Sequence, residues 1–430
     1  MMNSRFKFVV VTSSTCVLIL LLLGAMRGRS ASPEDTYRHL AVYTEVLSRI
    51  KSDYVEEPDM KSVTVGAING MLESIDPYAS YLNAEQYKQY LKAKDEHQAG
   101  VGLTLSRKFG YVGVIDAVPA SPAAKAGLST GDILETINGV ATRDMPLAYA
   151  QLLLKGEAGT NVELSVLRVR KPEPQKIVLT RTVVHYPAAT GKLESSQVGV
   201  IQVESLEAGE VKQVASKVAE LEKAGAKRFV LDLRHCSTGT PDEGVHLANL
   251  FIDNGLITYT QGQKSPRKNF DAQASEAATH LPLAVITNRG TAGGAEVAAA
   301  ALLDDKRAEV VGERTYGDAA VRRPVTMDDG SAVILSVAKY YSPSGKAIQD
   351  NGVMPSVVVQ QPEPGSDTDD DTAPDVNQQP QTKPGEDLMM QKAIEVVTQG
   401  KADAAKAGAS AEPSERSPLP AKTPLNIPKP

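Results

Sequence analysis

The chain has 430 residues, enough for two or three domains, and contains no tryptophan. Its formal net charge of −6 gives no reason to expect nucleic-acid binding, and we interpret the excess acid as a contribution to solubility. The two cysteines, Cys16 and Cys236, provide no disulfide framework for a mature chain that lacks Cys16. There is no CxxC or HExxH motif, and we interpret His235 beside Cys236 as packing residues, so we expect no metal and no other cofactor.

Residues 1–30 are predicted to be a targeting segment. Arg5 and Lys7 precede an almost uncharged apolar run of 19 residues over 8–26. That length lies between the core of a signal peptide and a membrane-spanning helix, and no clean cleavage site follows. A signal peptide and an uncleaved membrane anchor are both open, and we favour the anchor. Either one exports the remainder of the chain, so we expect an extracytoplasmic, periplasmic-side protein.

A helical N-terminal segment is predicted over residues 34–95. Apolar residues recur there at helical spacing, namely Tyr37, Leu40, Tyr43, Val46, Leu47 and Ile50. The pattern continues from Thr64 to Ile75, and the Asp76-Pro77 pair ends it.

Residues 97–185 form a second unit with a series of short motifs. The sequence Gly100-Val101-Gly102-Leu103 opens a strand, and Ser-Pro-Ala, Ala-Gly-Leu, Gly-Asp-Ile-Leu and Ile-Asn-Gly follow within 110–140. Over its whole length this unit resembles a bacterial PDZ domain. Backbone N–H groups of Gly100, Val101, Gly102 and Leu103 would bind a peptide carboxylate, while the next strand edge pairs with an extended peptide. A PDZ fold that only braces or regulates its neighbour is the alternative.

Residues 190–360 alternate between strand and helix patterns, which predicts an α/β core. The stretch from Leu281 to Thr287 reads as a buried strand, Asn288 to Gly294 as a turn of small residues, and Ala295 to Leu303 as a helix. A strand-to-helix elbow of this kind holds one turn residue above the sheet and directs backbone N–H groups towards it. A nucleophile and an oxyanion hole are built at such places.

This elbow resembles the active-site region of the carboxyl-terminal processing peptidases, which are PDZ-containing serine peptidases with a Ser-Lys pair. The family pattern is Asn-x-Gly-Ser-Ala-Ser-Ala-Ser-Glu followed by Phe-Gly-Lys-Gly-x-x-Gln, and Asn288, Gly290, Ala292, Glu296 and Gly317 match it here. The resemblance covers about residues 35–360. It implies an α/β core of the ClpP/crotonase-like peptidase type, an inserted β-rich PDZ domain, and an N-terminal helical segment that packs on the core or dimerises. A merely structural cap is the alternative for that segment.

The catalytic positions of the family pattern are replaced without any gap in spacing. The nucleophile position is Gly293, the position of the general base is Asp318, and the position of the Gln that orients the base is Arg322. Glycine has no side chain to attack with, aspartate is an anion of low reference pKa, and arginine does not give up its proton. We therefore predict a peptidase fold without its catalytic dyad, in which Asp318 and Arg322 form an ion pair.

The oxyanion positions implied by the resemblance are Gly239 and Gly294. The loop before Gly239 carries Cys236 and Thr238 where the family has Asn and a first Gly, so the hole is expected to be damaged as well. Nearby candidates for a displaced nucleophile or base are few. We predict structural roles for each of them, which are Thr291, Ser237, Cys236 and His235.

The C-terminal region is predicted to hold an acidic disordered linker over 361–385, an amphipathic helix over 386–398, and a disordered tail over 399–430. Three functions then compete. The first is an exported scaffold or regulator that binds C-terminal peptides of envelope proteins, a second copy or an active paralogue. The second is an active serine-type endopeptidase that cleaves near the C-termini of extracytoplasmic proteins. The third is a structural protein with an idle PDZ domain.

Overall fold

The computed structural model describes residues 33–95, 99–108, 110–168, 171–360 and 386–399. The predicted targeting segment, the acidic linker and the tail beyond residue 399 lie outside these residues. No helix within the described ranges is long and apolar enough to cross a membrane. The chain divides into two units, Met1–Ala67 and Ile68–Pro430.

Three helices precede the PDZ domain: α1 (Pro33–Asp53), α2 (Met60–Ile75) and α3 (Ala84–Asp95). The Asp59 carboxylate begins α2 by accepting the Lys61 N–H at 3.0 Å and the Ser62 hydroxyl at 2.6 Å. One correction to the helical segment is needed. Strand β1 (Ser80–Leu82) lies between α2 and α3, and its three residues are too few to show a strand period.

The PDZ domain is an antiparallel sheet with two short helices. Its strands run in the order β2-β3-β4-β6-β7, with β5 paired to β4, so β2 lies at one edge. Ser121 caps the first helix by accepting the Ala124 N–H at 3.2 Å. The elements are β2 (Leu103–Lys108), β3 (Tyr111–Ala117), α4 (Pro122–Lys125), β4 (Ile133–Ile137), β5 (Val140–Ala141), α5 (Leu147–Leu154), β6 (Asn161–Arg168) and β7 (Lys171–Thr180).

The α/β core is built on a six-stranded sheet that is parallel apart from one edge strand. Its order is β17-β14-β13-β10-β9-β8, and only β8 is antiparallel to its neighbour. The elements are β8 (Thr190–Leu193), β9 (Val198–Gln202), α6 (Glu210–Lys223), β10 (Arg228–Asp232), α7 (Pro241–Asn249), β13 (Leu283–Thr287), α8 (Gly294–Asp304), β14 (Ala308–Gly312) and β17 (Val357–Val358).

A second sheet lies beside this core and takes in β1. Its order is β1-β16-β11-β12, and β15 also pairs with β16. Ser80 is in register with Ile334, so the N-terminal segment contributes a strand to the peptidase-like region. The remaining elements are β11 (Leu256–Gln261), β12 (Lys268–Asp271), a 3₁₀ turn (Ala274–Glu276), β15 (Ala320–Thr326) and β16 (Ala332–Tyr341).

Helix α9 (Leu388–Gln399) covers the face of the parallel sheet opposite to α6, α7 and α8. Alternate residues of each strand point to opposite faces, so both faces need cover. The α9 side chains Met389, Ala393, Val396 and Val397 are buried on this second face. The Arg234 guanidinium fixes the start of α9 by binding both Asp387 carboxylate oxygens, at 2.9 and 2.8 Å.

Removal of α9 is therefore expected to destabilise the core. A chain ending at residue 385 should lose about 2–4 kcal/mol of unfolding free energy, because the burial of Met389, Val396 and Val397 outweighs the chain entropy that is recovered. It should also bind a dye specific for exposed apolar surface. Urea unfolding of this chain and of a control chain ending at residue 400 measures the effect. Equal stability of the two chains would contradict the role given to α9.

Candidate active site

The elbow between β13 and α8 is a tight turn held by the side chains of Asn288 and Thr291. The Asn288 Oδ1 accepts the Gly290 N–H at 3.0 Å, and the Thr291 hydroxyl oxygen accepts the Asn288 N–H at 3.0 Å. Thr291 is fully buried and donates its own hydroxyl to the Leu233 carbonyl at 2.8 Å. The turn is therefore built by side chain–backbone hydrogen bonds between short polar residues, as its composition predicts.

Gly293 has the backbone conformation of an elbow but no side chain to present. Its φ of 65° and ψ of −123° lie in a region that costs a residue other than glycine roughly 1–3 kcal/mol. A Cβ added here would meet only the Asp318 carbonyl oxygen within 4 Å, at 3.9 Å. The position thus has room for a side chain directed towards the Asp318 loop, and glycine leaves that room without a nucleophile.

Asp318 and Arg322 form the ion pair that the sequence predicts. The Arg322 Nη2 lies 2.5 Å from the Asp318 Oδ1, and the guanidinium stacks over the Tyr78 ring at 4.1 Å from its centroid. The Tyr316 side chain packs against the apolar cluster that includes Tyr78. Burial raises the pKa of both Tyr78 and Tyr316, and the Asp318 charge adds to this effect, so neither phenol is a general base at neutral pH.

The fully buried Glu296 carboxylate connects the elbow to the loop that carries Asp318. It accepts the N–H groups of Gly293 at 3.1 Å, Gly317 at 2.7 Å and Asp318 at 2.7 Å. The Thr315 hydroxyl donates to the same carboxylate. Burial raises the pKa of Glu296 to about 7, although the donors from Thr315, Asp318 and Gly317 favour the ionised form.

Gly239 and Gly294, which the resemblance assigned to the oxyanion hole, both lie where backbone segments approach closely. A Cβ on Gly239 would lie 1.9 Å from the Leu206 carbonyl oxygen, and one on Gly294 would lie 2.5 Å from that of Thr240. Burial raises the pKa of the nearby Glu207 carboxyl, and the Gly239 amide opposes this rise. A carboxylate beside this amide is a poor neighbour for a developing oxyanion.

None of the candidates for a displaced nucleophile is free to act as one. The Thr291 hydroxyl is committed to the turn, and the Ser237 hydroxyl donates to Thr104 Oγ1 at 3.0 Å. Cys236 is fully buried, and burial raises the pKa of its thiol well above the ordinary range. His235 has a left-handed backbone, with a φ of 60°. In the described part of the chain, no group of three or more His, Cys, Asp or Glu side chains is placed to hold a metal ion.

The PDZ domain contacts the same region, which the sequence did not reveal. The Asp116 carboxylate of β3 lies 3.1 Å from the His235 Nδ1, and Thr104 of β2 accepts the Ser237 hydroxyl. The Tyr316 side chain packs against the apolar cluster of the PDZ domain and adds a third contact. Asp116 and Thr104 carry no motif of their own, so only their position in the folded chain identifies them.

The predicted carboxylate-binding loop of the PDZ domain is only partly as expected. The Gly100 N–H and carbonyl group both pair with Thr182 at 2.9 Å, so the prediction that this amide binds a peptide carboxylate is wrong. Val101 and Gly102 follow, with Gly102 at a φ of 77° and so close to Ser121 that a Cβ would lie 2.3 Å from the Ser121 Cβ. Leu103 begins β2, the edge strand, and this loop therefore leads into a strand edge that can accept an extended peptide.

The protonation of Glu296 should make the unfolding free energy depend on pH in a way that can be measured. Its folded pKa of about 7 lies above the ordinary 4.5, so this group stabilises the fold fully below pH 4.5, and the contribution is lost as the pH rises through 7. Glu296→Gln mimics the protonated acid. The unfolding free energy of this variant relative to the natural chain should therefore rise between pH 4.5 and 7 in urea titrations. Glu157→Gln, at an exposed position, serves as the control, and a difference that stays flat or falls with pH would contradict the assignment.

Comparisons with known proteins identify the family of each part of the chain. The profile of peptidase family S41 matches residues 197–359, that of a PDZ domain matches 113–168, and that of the N-terminal domain of the activating protease CtpB matches 24–86. A carboxy-terminal-processing protease of Bartonella bacilliformis is 30% identical over 80% of each chain. The carboxy-terminal processing protease CtpA of Bacillus subtilis is 30% identical over 82% of this chain and 76% of the relative.

The fold is also that of a solved relative. The photosystem II D1 C-terminal processing protease superposes with a TM-score of 0.62 at 27% identity, over 74% of this chain and 92% of the other. The predicted fold class, an α/β peptidase core with a PDZ domain and N-terminal helices, is confirmed. The sequence, the domain profiles and the superposition together establish that the chain belongs to peptidase family S41, among the carboxy-terminal processing proteases.

Proposed function

We propose that this protein is an exported carboxy-terminal processing protease homologue that does not cleave peptide bonds. It binds the C-terminal peptides of envelope proteins, or a partner chain, through its PDZ domain and acts as a scaffold or regulator. The observation that carries this proposal is Gly293, which retains the elbow conformation at the nucleophile position and offers no nucleophilic atom.

The ion pair between Asp318 and Arg322 supports the loss of activity. A general base must be able to take up a proton near neutral pH and must lie within reach of the nucleophile. The Asp318 carboxylate is instead bound to a guanidinium at 2.5 Å, and Arg322 remains charged at any working pH. Because a nucleophile and its base act as one unit, the loss of both removes most of an acceleration of about 10⁶-fold.

The PDZ domain supports the binding role. The similar proteins are named carboxy-terminal processing proteases, which suggests protein C-termini as ligands for the PDZ domain of this chain. Its edge strand β2, which follows the Gly102 turn, is where such a peptide would pair. A second copy or an active paralogue is the proposed protein partner.

Export is proposed from the basic and apolar pattern of residues 1–30. Release of the protein by osmotic shock would indicate a cleaved signal peptide, whereas retention with the membranes would indicate an anchor.

An active endopeptidase remains the second candidate because the similar proteins are named proteases. It would need a displaced nucleophile. The hydroxyls of Thr291 and Ser237 are both engaged as donors, and the Cys236 thiol is buried, which speaks against each of them. The binding role is therefore preferred.

Restoration of the family residues should create activity. The variant Gly293→Ser, Asp318→Lys, Arg322→Gln places a hydroxyl in the open space beside Asp318 and a lysine opposite it. We expect this variant of the 33–430 chain to cleave an unfolded substrate at least about 10²-fold faster than the natural chain, which should not exceed the background rate. Peptide fragments are counted by mass spectrometry.

A matched control carries Gly293→Ala with the same two other substitutions, and it should remain inactive. Cleavage by the natural chain that stops in Thr291→Ala or Ser237→Ala would instead establish the active endopeptidase. An inactive triple variant that still folds would show that the site has lost more than its dyad.

Binding of C-terminal peptides should require a free carboxylate and the Gly102 turn. Against a library of peptides with apolar C-terminal residues, we expect the natural chain to bind free acids at least about tenfold more tightly than the matching amides. Gly102→Ala should abolish this difference, because its Cβ would overlap Ser121 and its φ of 77° disfavours alanine. Fluorescence anisotropy measures both, with Gly131→Ala, a positive-φ glycine with open space, as control for general strain. Equal affinity for acids and amides would contradict peptide-carboxylate recognition.

A further inference from the structure

His235 lies between the PDZ domain and the elbow and contacts both. On one side its Nδ1 is 3.1 Å from the Asp116 carboxylate of β3, whose side chain is only 8% exposed. On the other side its Nε2 is 3.0 Å from the Asn288 Nδ2 at the start of the elbow. The left-handed backbone of His235 directs its ring out of the core into this position. One titratable side chain thus joins two parts of the fold.

The hydrogen-bond partners of His235 determine which tautomer of its neutral ring fits the geometry. The Asn288 Oδ1 accepts the N–H groups of His235 at 3.1 Å and of Gly290 at 3.0 Å, which fixes the orientation of the amide. The Asn288 NH₂ group therefore donates to Nε2, so the neutral ring carries its proton on Nδ1 and donates to Asp116. Uptake of a second proton converts the contact with Asp116 into an ion pair.

The other charged groups around His235 belong to the core. Asp232 and Arg234 lie at the end of β10, and Glu204 lies in the loop after β9. Arg234 is bound by the carboxylates of Asp232 and Asp387. These groups and Asn288 face His235 whether or not the PDZ domain is docked. Among the charged groups that face His235, Asp116 is the one that separates from it when the PDZ domain leaves.

We propose that His235 and Asp116 form a proton-operated latch that holds the PDZ domain on the elbow when His235 is protonated and loosens it when His235 is neutral. Two further contacts guide the same docking but do not titrate in this range: the hydrogen bond from Ser237 to Thr104 and the packing of Tyr316 on the PDZ cluster. The latch regulates access to the β2 edge, so its functional meaning rests on the proposed peptide binding.

The direction in which docking of the PDZ domain depends on pH follows from the linkage between docking and proton binding. The hydrogen bond and charge of Asp116 raise the pKa of His235 above its usual range, against the effect of burial. His235 therefore binds its proton more tightly when it is docked beside Asp116, and docking strengthens as the pH falls through the raised pKa of His235. A difference of one pKa unit between docked and free states changes the docking constant about tenfold.

Hydrogen exchange of the full chain tests the latch without any bound peptide, so its failure is distinct from a failure of peptide binding. Protection of the amides over 103–107 and 235–238, corrected for the intrinsic pH dependence of exchange, should be about tenfold greater at pH 5.5 than at pH 8.5. In Asp116→Asn and in His235→Asn, which tolerates the left-handed backbone, protection should be equal at both pH values.

A second measurement keeps the test decisive if a variant loses protection everywhere. Nuclear magnetic resonance titration of the histidine ring carbons should give His235 a lower pKa in Asp116→Asn than in the natural chain, because the carboxylate that favours the charged ring is gone. Glu276→Gln, beside the exposed His246, is the matched control and should leave both readouts unchanged. Protection that is independent of pH in the natural chain, or an unchanged His235 pKa in Asp116→Asn, would overturn the proposal.

Discussion

The buried carboxylate of Glu296 accepts four hydrogen bonds from two separate pieces of the candidate site, the elbow and the loop that carries Asp318. It binds the amide of Gly293 in the elbow, the amides of Gly317 and Asp318, and the hydroxyl of Thr315. Each of these donors is removed from water, so each would cost about 1–3 kcal/mol if its acceptor were lost. Loss of these hydrogen bonds would destabilise the fold, so stability alone holds the elbow and the Asp318 loop at this distance. The two segments can therefore keep this arrangement whichever side chains occupy positions 293 and 318.

The replacements at the three catalytic positions also support one another. Glycine at 293 relieves the strain that a side chain would carry at a φ of 65°, while Asp318 and Arg322 neutralise each other's charge in a half-buried place over Tyr78. Exchange of either charged residue alone would leave the other without its partner in a partly desolvated setting, which is strongly unfavourable. A return to the family residues thus requires coupled changes. The combination of Gly293, Asp318 and Arg322 is therefore stable in this fold as it stands.

Local patterns in the sequence were sufficient for most of the architecture. The elbow, the Asp318–Arg322 pair and the PDZ domain follow from short motifs whose spacing is read within one element or between neighbours. Strand β1 was missed because three residues carry no periodicity, and its partner Ile334 lies about 250 residues further along the chain. The role of Gly100 was wrong because the bridge to Thr182 closes the domain across a long separation. The contact between His235 and Asp116 depends on a left-handed residue and on the placement of two domains, neither of which a sequence pattern encodes.

The contacts of strand β2 connect the predicted peptide-binding edge of the PDZ domain to the candidate site. Its residue Thr104 accepts a hydrogen bond from Ser237 of the core, and its outer edge is where an extended peptide would add a strand. A peptide that alters β2 must therefore alter its contacts with the core, and by reciprocity the state of the core must alter the affinity for the peptide. Such coupling needs the elbow, the Glu296 network and the docked PDZ domain, but it needs neither a nucleophile nor a base. The hydrogen-bonded frame of the site is therefore sufficient for such coupling.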